Sequence, residues 1–203
     1  MLIEINPENI NSNYIDRVVE VLKKGGIIIF PTDSVYAMGC DLYNKKALEK
    51  LAKLKGIKLN KANFSIICND FSNLSKYVKP IEKSIFKLLN TYLPGPFTFI
   101  LPATNEIPKL FDSNRKEIGI RIPDNQIIIS IVEQLGNPIA TTSLKDEESF
   151  LEYHNDPAEI YERYAELVEL IIDGGYGKLE GTTIVDCSTG APEIIRQGLG
   201  ILE

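Results

Sequence analysis

The stretch that most constrains this chain is a glycine pair, Gly25-Gly26, followed by Ile27-Ile28-Ile29-Phe30 and then by Pro31-Thr32-Asp33-Ser34. Two adjacent glycines terminate a helix, because a left-handed residue closes its last carbonyls without a Cβ penalty. A short unbroken apolar run bounded by such signals reads as a strand buried on both faces. Hydroxyls and an acid directly after it then sit at the carboxyl end of that strand, where open α/β sheets gather their ligands. The pattern therefore predicts an α/β fold with a polar site organised around residues 25–39.

The rest of the chain alternates in the same way. Ile15, Val18, Val19 and Leu22 recur at helical spacing over residues 14–24, and Asn11, Ser12 and Asn13 offer caps. Residues 2–5 suit a short edge strand. Asn44 caps a second helix of about ten residues, with Ala47, Leu48, Leu51 and Ala52 inward. Residues 57–63 read as a polar loop and 64–68 as a buried strand. Pro80 opens a helix over 81–90. Strands follow at 97–101 and 118–122, a helix at 125–135 stopped by Gly136, and a strand at 138–142. Asp156-Pro157 starts an acidic helix running to about residue 168, and apolar residues 170–172 form another strand. Strands at 182–187 and 193–196 are close enough in sequence to pair antiparallel. Strands alternating with helices predict a twisted, mixed sheet flanked by helices, in one domain spanning residues 1–203.

Composition excludes several classes. At 44% hydrophobic and 25% charged residues this is an ordinary globule, and no apolar run reaches the roughly 20 residues of a membrane span. Cys40, Cys68 and Cys187 are scattered among apolar residues and predict reduced thiols in a cytoplasmic protein. One histidine, His154, and no CxxC argue against a structural zinc or a histidine triad. The net charge of −6 opposes broad nucleic-acid binding, yet seven lysines (45, 46, 50, 53, 55, 58 and 61) face one acid, Glu49, between Lys45 and Lys61. Such a run suits a solvated helix face or a phosphate-facing edge.

No Walker A loop, Rossmann fingerprint or G-x-S-x-G elbow is present. What remains is polar residues at strand ends: Thr32, Asp33 and Ser34; Arg121; Thr141, Thr142 and Ser143; Thr182 and Thr183; Arg196. Two arginines among many hydroxyls suit an anion, since guanidinium grips phosphate or carboxylate with a planar fork. Arg121 lies inside the apolar run Gly-Ile-Arg-Ile-Pro, where a lone charge is costly, so it requires a partner. A structural ion pair answers that requirement as well as a ligand does. The residues by themselves reach an anion-binding α/β domain.

Residues 30–41, Phe-Pro-Thr-Asp-Ser-Val-Tyr-Ala-Met-Gly-Cys-Asp, resemble the P-T-[DE]-[ST]-V-Y-[GA]-[LM]-G signature of the YrdC/YciO family, which includes the L-threonylcarbamoyladenylate synthases. Lys55-Gly56 falls where that family's K-x-R motif begins, and residues 93–98 resemble its W-P-G-P-[LF]-T. Residues 119–123 resemble its [GV]-x-R-x-P strand. Residues 181–186 and 194–198 resemble its S-T-[IV]-[VI]-D and [IV]-x-R-x-G ending. The resemblance implies a large concave electropositive cavity and a reaction joining L-threonine, bicarbonate and ATP, with Mg²⁺ on the phosphates, to give threonylcarbamoyl-AMP for tRNA modification. It implies Lys55 and Arg121 as catalytic residues. Thr32 and Tyr36 would lie on the threonine side, and Ser143, Thr182 and Arg196 on the nucleotide side. Lys58, Asn63, Thr141 and Lys145 complete the implied binding set, and no protein metal site is implied. The longer synthases' additional C-terminal domain is not expected.

Two positions depart from the pattern: Ile57 stands where K-x-R has arginine, and Lys145 where S-x-N has asparagine. Asn63-Phe64-Ser65 also sits two residues later than the usual N-P-L. These departures point to the YciO-type branch. Two other readings stay open: a double-stranded RNA-binding, translation-related module using the basic face, and a nucleotide-binding paralogue with a different substrate.

Overall fold

The structure, a computed structural model, describes residues 1–144 and 154–203. In chain order its elements are β1 (Leu2–Glu4), α1 (Ser12–Lys23), β2 (Ile28–Phe30), β3 (Ala37–Asp41), α2 (Lys45–Leu54), β4 (Ser65–Ile67), α3 (Leu74–Tyr77), α4 (Lys83–Tyr92) and β5 (Phe97–Pro102). There follow α5 (Glu106–Leu110), β6 (Glu117–Arg121), α6 (Gln126–Leu135), β7 (Ile139–Ser143), α7 (Pro157–Tyr164), β8 (Leu170–Asp173), β9 (Thr183–Asp186) and β10 (Glu193–Arg196). All ten strands join one twisted sheet in the order β1-β8-β2-β3-β7-β4-β6-β5-β9-β10. It is mixed: β1/β8, β2/β8, β4/β6 and β5/β9 pair parallel, the other neighbours antiparallel. β1 is an edge strand and β9 and β10 pair antiparallel, both as the sequence implies.

Helix ends follow local chemistry. The side chains of Asn11, Asn44, Asn125 and Asp156 each accept a first-turn amide hydrogen bond at the starts of α1, α2, α6 and α7. Gly136 ends α6 at φ 75°.

Four details differ from the sequence reading. β3 escapes an alternation search because all five of its residues are buried. Its Gly39 is required by close approach, since a Cβ there would lie 2.6 Å from the Ala140 carbonyl of β7. The helix after Pro80 begins only at Lys83, because an isolated Val78–Ala103 bridge and a 2.8 Å bond from the Lys79 amide to the Pro102 carbonyl hold the preceding residues extended. The loop at 57–63 contains a single 3₁₀ turn, Leu59–Lys61. The acidic helix stops at Tyr164, where the Leu167 and Val168 amides both turn back to its carbonyl.

The core explains where the site lies. One cluster packs Leu48 and Leu51 of α2 and Ile85 and Leu89 of α4 against Ile66, Ile118, Ile120, Phe97, Phe99, Leu101 and Val185. A second, on the other face, packs Val18 and Leu22 of α1 and Ile128 and Ile131 of α6 against Ile28, Phe30, Ile67, Ile139 and Leu170. Successive residues of a strand point to opposite faces. With Ile118, Ile120, Phe97 and Phe99 turned to the first cluster, Gly119, Arg121 and Thr98 face the other way, over a part of the sheet that the second cluster does not reach. Paired across β4 and β7, Ser65 and Thr141 fall on that same open face.

Candidate functional site

That open face forms a cleft of about 560 Å³. Its walls are hydroxyls and two guanidiniums: Ser34, Ser65, Thr98, Thr141, Thr142, Ser143 and Thr182, with Arg121 and Arg196, and with Asn63 and Gly181 among the remaining lining residues. The floor stays low because β6 carries glycine at 119. A Cβ there would lie 2.5 Å from Ser65 Oγ and 3.2 Å from Thr98 Cγ2.

Arg121 is the central charge. Its Nη2 donates to Asp33 Oδ1 at 3.1 Å, Ser34 Oγ at 3.2 Å and Thr32 Oγ1 at 3.4 Å. Asp33 Oδ2 in turn accepts the Asp124 amide at 3.0 Å, tying the signature loop to the turn after β6. Thr32 shapes that loop: its Oγ1 donates to the Val35 carbonyl at 2.8 Å and accepts the Ser34 amide at 3.0 Å. The ion pair is thus part of the answer to how a strand interior tolerates this charge. The other part is incomplete, for Arg121 Nε is buried and has no hydrogen-bond partner among the described residues. Burial holds the guanidinium pKa below its ordinary value, and the Arg196 charge pushes it the same way, while Asp33 opposes both. An unsatisfied buried donor costs free energy that an incoming acceptor recovers.

Arg196 lies across the cleft on β10, with Nη2 donating 2.8 Å to the Thr182 carbonyl. Thr182 and Thr98 share a hydroxyl–hydroxyl bond at 2.8 Å. Thr141 Oγ1 donates to the Met38 carbonyl at 3.1 Å. Two cations against one carboxylate, ringed by hydroxyls that both donate and accept, make a receptor for an anion with polar substituents. No group of three or more metal-ligating side chains occurs among the described residues.

Of the residues singled out from sequence, Asn63, Arg121, Thr141, Ser143, Thr182 and Arg196 converge on this cleft. Thr32 stands behind it, touching Arg121 without lining it. Tyr36 does neither. It is fully buried, its hydroxyl donating 2.7 Å to the Gly175 carbonyl and accepting the Gly174 amide at 3.1 Å. Burial pushes its phenol up to about 12, against the lowering effect of the Gly174 amide. Lys55 is half-buried at the end of α2 and Lys58 is exposed beside the 3₁₀ turn, neither of them lining the cleft. Ile57 packs against the main core. Lys145 lies outside the described residues. The lysine run is partly occupied in structural pairing, with Lys45 2.7 Å from Asp112 and Lys50 bound to Glu169.

Sequence reasoning left Ser34, Ser65 and Thr98 out of the binding set. The signal for the last two was a single hydroxyl alternating with large apolar residues, as in Phe64-Ser65-Ile66 and Phe97-Thr98-Phe99, which marks the face turned away from the core.

A family model for Sua5/YciO/YrdC proteins, described as telomere recombination, matches residues 20–198. The chain belongs to the Sua5/YciO/YrdC family. It is 39% identical to the Escherichia coli protein YciO over 198 residues, covering 97% of this chain and 94% of that one. The crystal structure of E. coli YciO superposes with a TM-score of 0.89 over 99% of this chain and 97% of that one, at 37% identity. More distant is a threonylcarbamoyl-AMP synthase of Photobacterium profundum, 28% identical over 187 residues, covering 91% of this chain and 98% of that one. The fold is also that of P. abyssi Sua5, crystallised with L-threonine, at a TM-score of 0.87 and 24% identity; 98% of this chain matches 57% of that one. No helix among the described residues is long and apolar enough to cross a membrane.

Proposed function

We propose that the cleft binds ATP and L-threonine and that the chain is a threonylcarbamoyl-AMP synthase-like enzyme. The observation that carries this reading is Arg121, a buried guanidinium whose Nε has no hydrogen-bond partner among the described residues, lining a hydroxyl-rich cleft together with Arg196. Family membership supports this chemistry through more distant relatives, such as the Photobacterium protein, that are named for it.

In that reaction the threonine amine takes up the carbon of bicarbonate with loss of water. The resulting carbamate oxygen attacks the α-phosphorus of ATP, and pyrophosphate leaves. Every reactant except the zwitterionic amino acid is an anion. The enzyme's contribution is then to hold like charges together and to stabilise the charge on the phosphorus oxygens, with no nucleophile of its own. The Arg121 and Arg196 guanidiniums are the groups suited to this, and Ser143, Thr141 and Thr182 orient the ligands. Mg²⁺ enters on the ATP phosphates. Lys55, implied as catalytic by resemblance, does not line the cleft and has no role in this reading, and Lys145 lies outside the described residues. The double-stranded RNA alternative draws less support, because the Lys45 and Lys50 charges are already paired.

Incubation with ATP, Mg²⁺, bicarbonate and L-threonine is expected to release pyrophosphate only when threonine is present. Arg196→Gln is expected to cut that release at least tenfold. ATP binding that is intact but never followed by threonine-dependent pyrophosphate release would overturn the synthase assignment. It would leave a nucleotide-binding relative with a different substrate.

A further inference from the structure

A third arginine on the concave face is not used by the site just described. Arg115 precedes β6, and its Nη1 donates to the main-chain carbonyls of Phe64 at 3.0 Å and Ala62 at 3.3 Å. Its guanidinium lies 5.0 Å from the centre of the Phe111 ring. Those contacts fix the group in place without neutralising it, since no carboxylate lies within ion-pair distance among the described salt bridges. Burial pushes its pKa down to about 10, opposed by the nearby Glu117 charge. A guanidinium carries five donors. Nη1 is committed to the two carbonyls, whereas Nε and Nη2 are neither hydrogen-bonded nor among the buried unsatisfied atoms, and so remain accessible.

Arg115 lines a second cleft of about 790 Å³ together with the exposed Lys116 and Glu117, two cations against one carboxylate. This cleft is continuous with the first, because Asn63, Ser65, Thr98 and Ile184 line both. Six residues separate Arg115 from Arg121, at most about 20 Å at the rise of an extended strand. The concave face therefore presents positive charge at two places along one trough, with the Glu117 carboxylate also lining its second part.

We propose that Arg115, with Lys116 beside it, forms a second anion subsite at the far end of the trough, and that this subsite takes a phosphate group. The group arrives either as part of the nucleotide that occupies the first cleft or on a separate phosphate-bearing molecule bound next to it. The first source rests on the ATP reading above; the second does not.

Calorimetric titration of the wild-type protein, Arg115→Gln and Arg115→Lys with ATP, AMP and pyrophosphate, in Mg²⁺ throughout, separates these cases. A charge-assisted contact of this kind predicts about a tenfold loss of affinity for at least one of ATP and pyrophosphate in Arg115→Gln, with AMP changed less than twofold. Loss for ATP assigns the subsite to the nucleotide's own tail. Loss for pyrophosphate alone assigns it to a separate ligand. Wild-type protein that binds pyrophosphate through Arg115 but does not bind ATP removes the ATP reading and leaves the subsite standing. The subsite is refuted if neither affinity moves beyond twofold, if wild type binds neither ligand, or if AMP weakens equally. Should Arg115→Gln not fold, Arg115→Lys decides. One ammonium cannot serve both carbonyls and the cleft, so a loss of about threefold or more is expected, and an unchanged affinity refutes the subsite.

Discussion

Removing the Asp33 carboxylate tests the central claim about Arg121 most directly. Both side chains of the pair are 8% exposed, and the contact is 3.1 Å. Deleting one partner of a buried pair generally costs about 3–5 kcal/mol, because the other charge stays buried without compensation. Here the Ser34 and Thr32 hydroxyls still accept from the same nitrogen, while Arg196 continues to repel the guanidinium. The lower end of that range, about 3 kcal/mol, is therefore expected for Asp33→Asn, corresponding to a fall in Tm of roughly 6–12 °C for a chain of this size. Arg121→Met alone leaves the carboxylate stranded and costs a comparable amount. The double variant Asp33→Asn/Arg121→Met removes both charges and is expected to be clearly more stable than the sum of the single effects predicts, with a coupling of about 2 kcal/mol. Urea unfolding followed by far-ultraviolet circular dichroism on the four proteins completes the cycle. A loss below about 1 kcal/mol for Asp33→Asn, or strict additivity, would refute the argument that Arg121 depends on Asp33.

Three further outcomes follow from the geometry. Tyr36→Phe breaks two hydrogen bonds to the Gly174-Gly175 turn and is expected to cost about 1–3 kcal/mol in unfolding titrations, with nucleotide affinity changed less than twofold. The Tyr36 phenol, ordinarily near 10.0, is raised to about 12, so the folded state holds that proton more tightly than the unfolded chain. Its contribution is complete below about pH 10 and is lost as pH rises toward 12. Stability measured at pH 9 and at pH 11.5 should thus fall about 2 kcal/mol more for wild type than for Tyr36→Phe; parallel declines would contradict the shift. Gly119→Ala inserts a methyl against Ser65 and Thr98 and is expected to cost about 1–3 kcal/mol while weakening any ligand of the cleft, read by differential scanning fluorimetry with and without ATP.

The strands and main helices were legible because their apolar residues recur at helical or strand spacing and their caps are side chains of the expected kind. β3 was not, since a strand covered on both faces leaves no alternation to detect. The short helices α3 and α5 carry too few residues for a periodic signal. Within the site, Arg121 was recoverable because charge inside an apolar strand demands explanation, and Arg196 because it is a polar residue at a strand end. The place of Tyr36 off the cleft wall was not legible, because a motif marks that a residue is needed without saying whether it touches ligand or holds the fold. Here the need is a buried hydroxyl that staples the turn after β8. The positions of Lys55 and Lys58 were illegible for a related reason: their place in the sequence follows a motif, but the end of α2 and the 3₁₀ turn set them off the cleft wall.

The order of strands beneath the cleft bears on how the protein acquires its site in time. β4, β6, β5 and β9 lie side by side, yet the β5–β9 pairing joins residues 97–100 to residues 183–186, and Arg196 arrives only with β10. Pairings between such distant segments form late, because long loops must close before the contacts stabilise them. The binding surface is therefore expected to form late in refolding, after the local helices, so that a ligand added early meets a chain without its receptor.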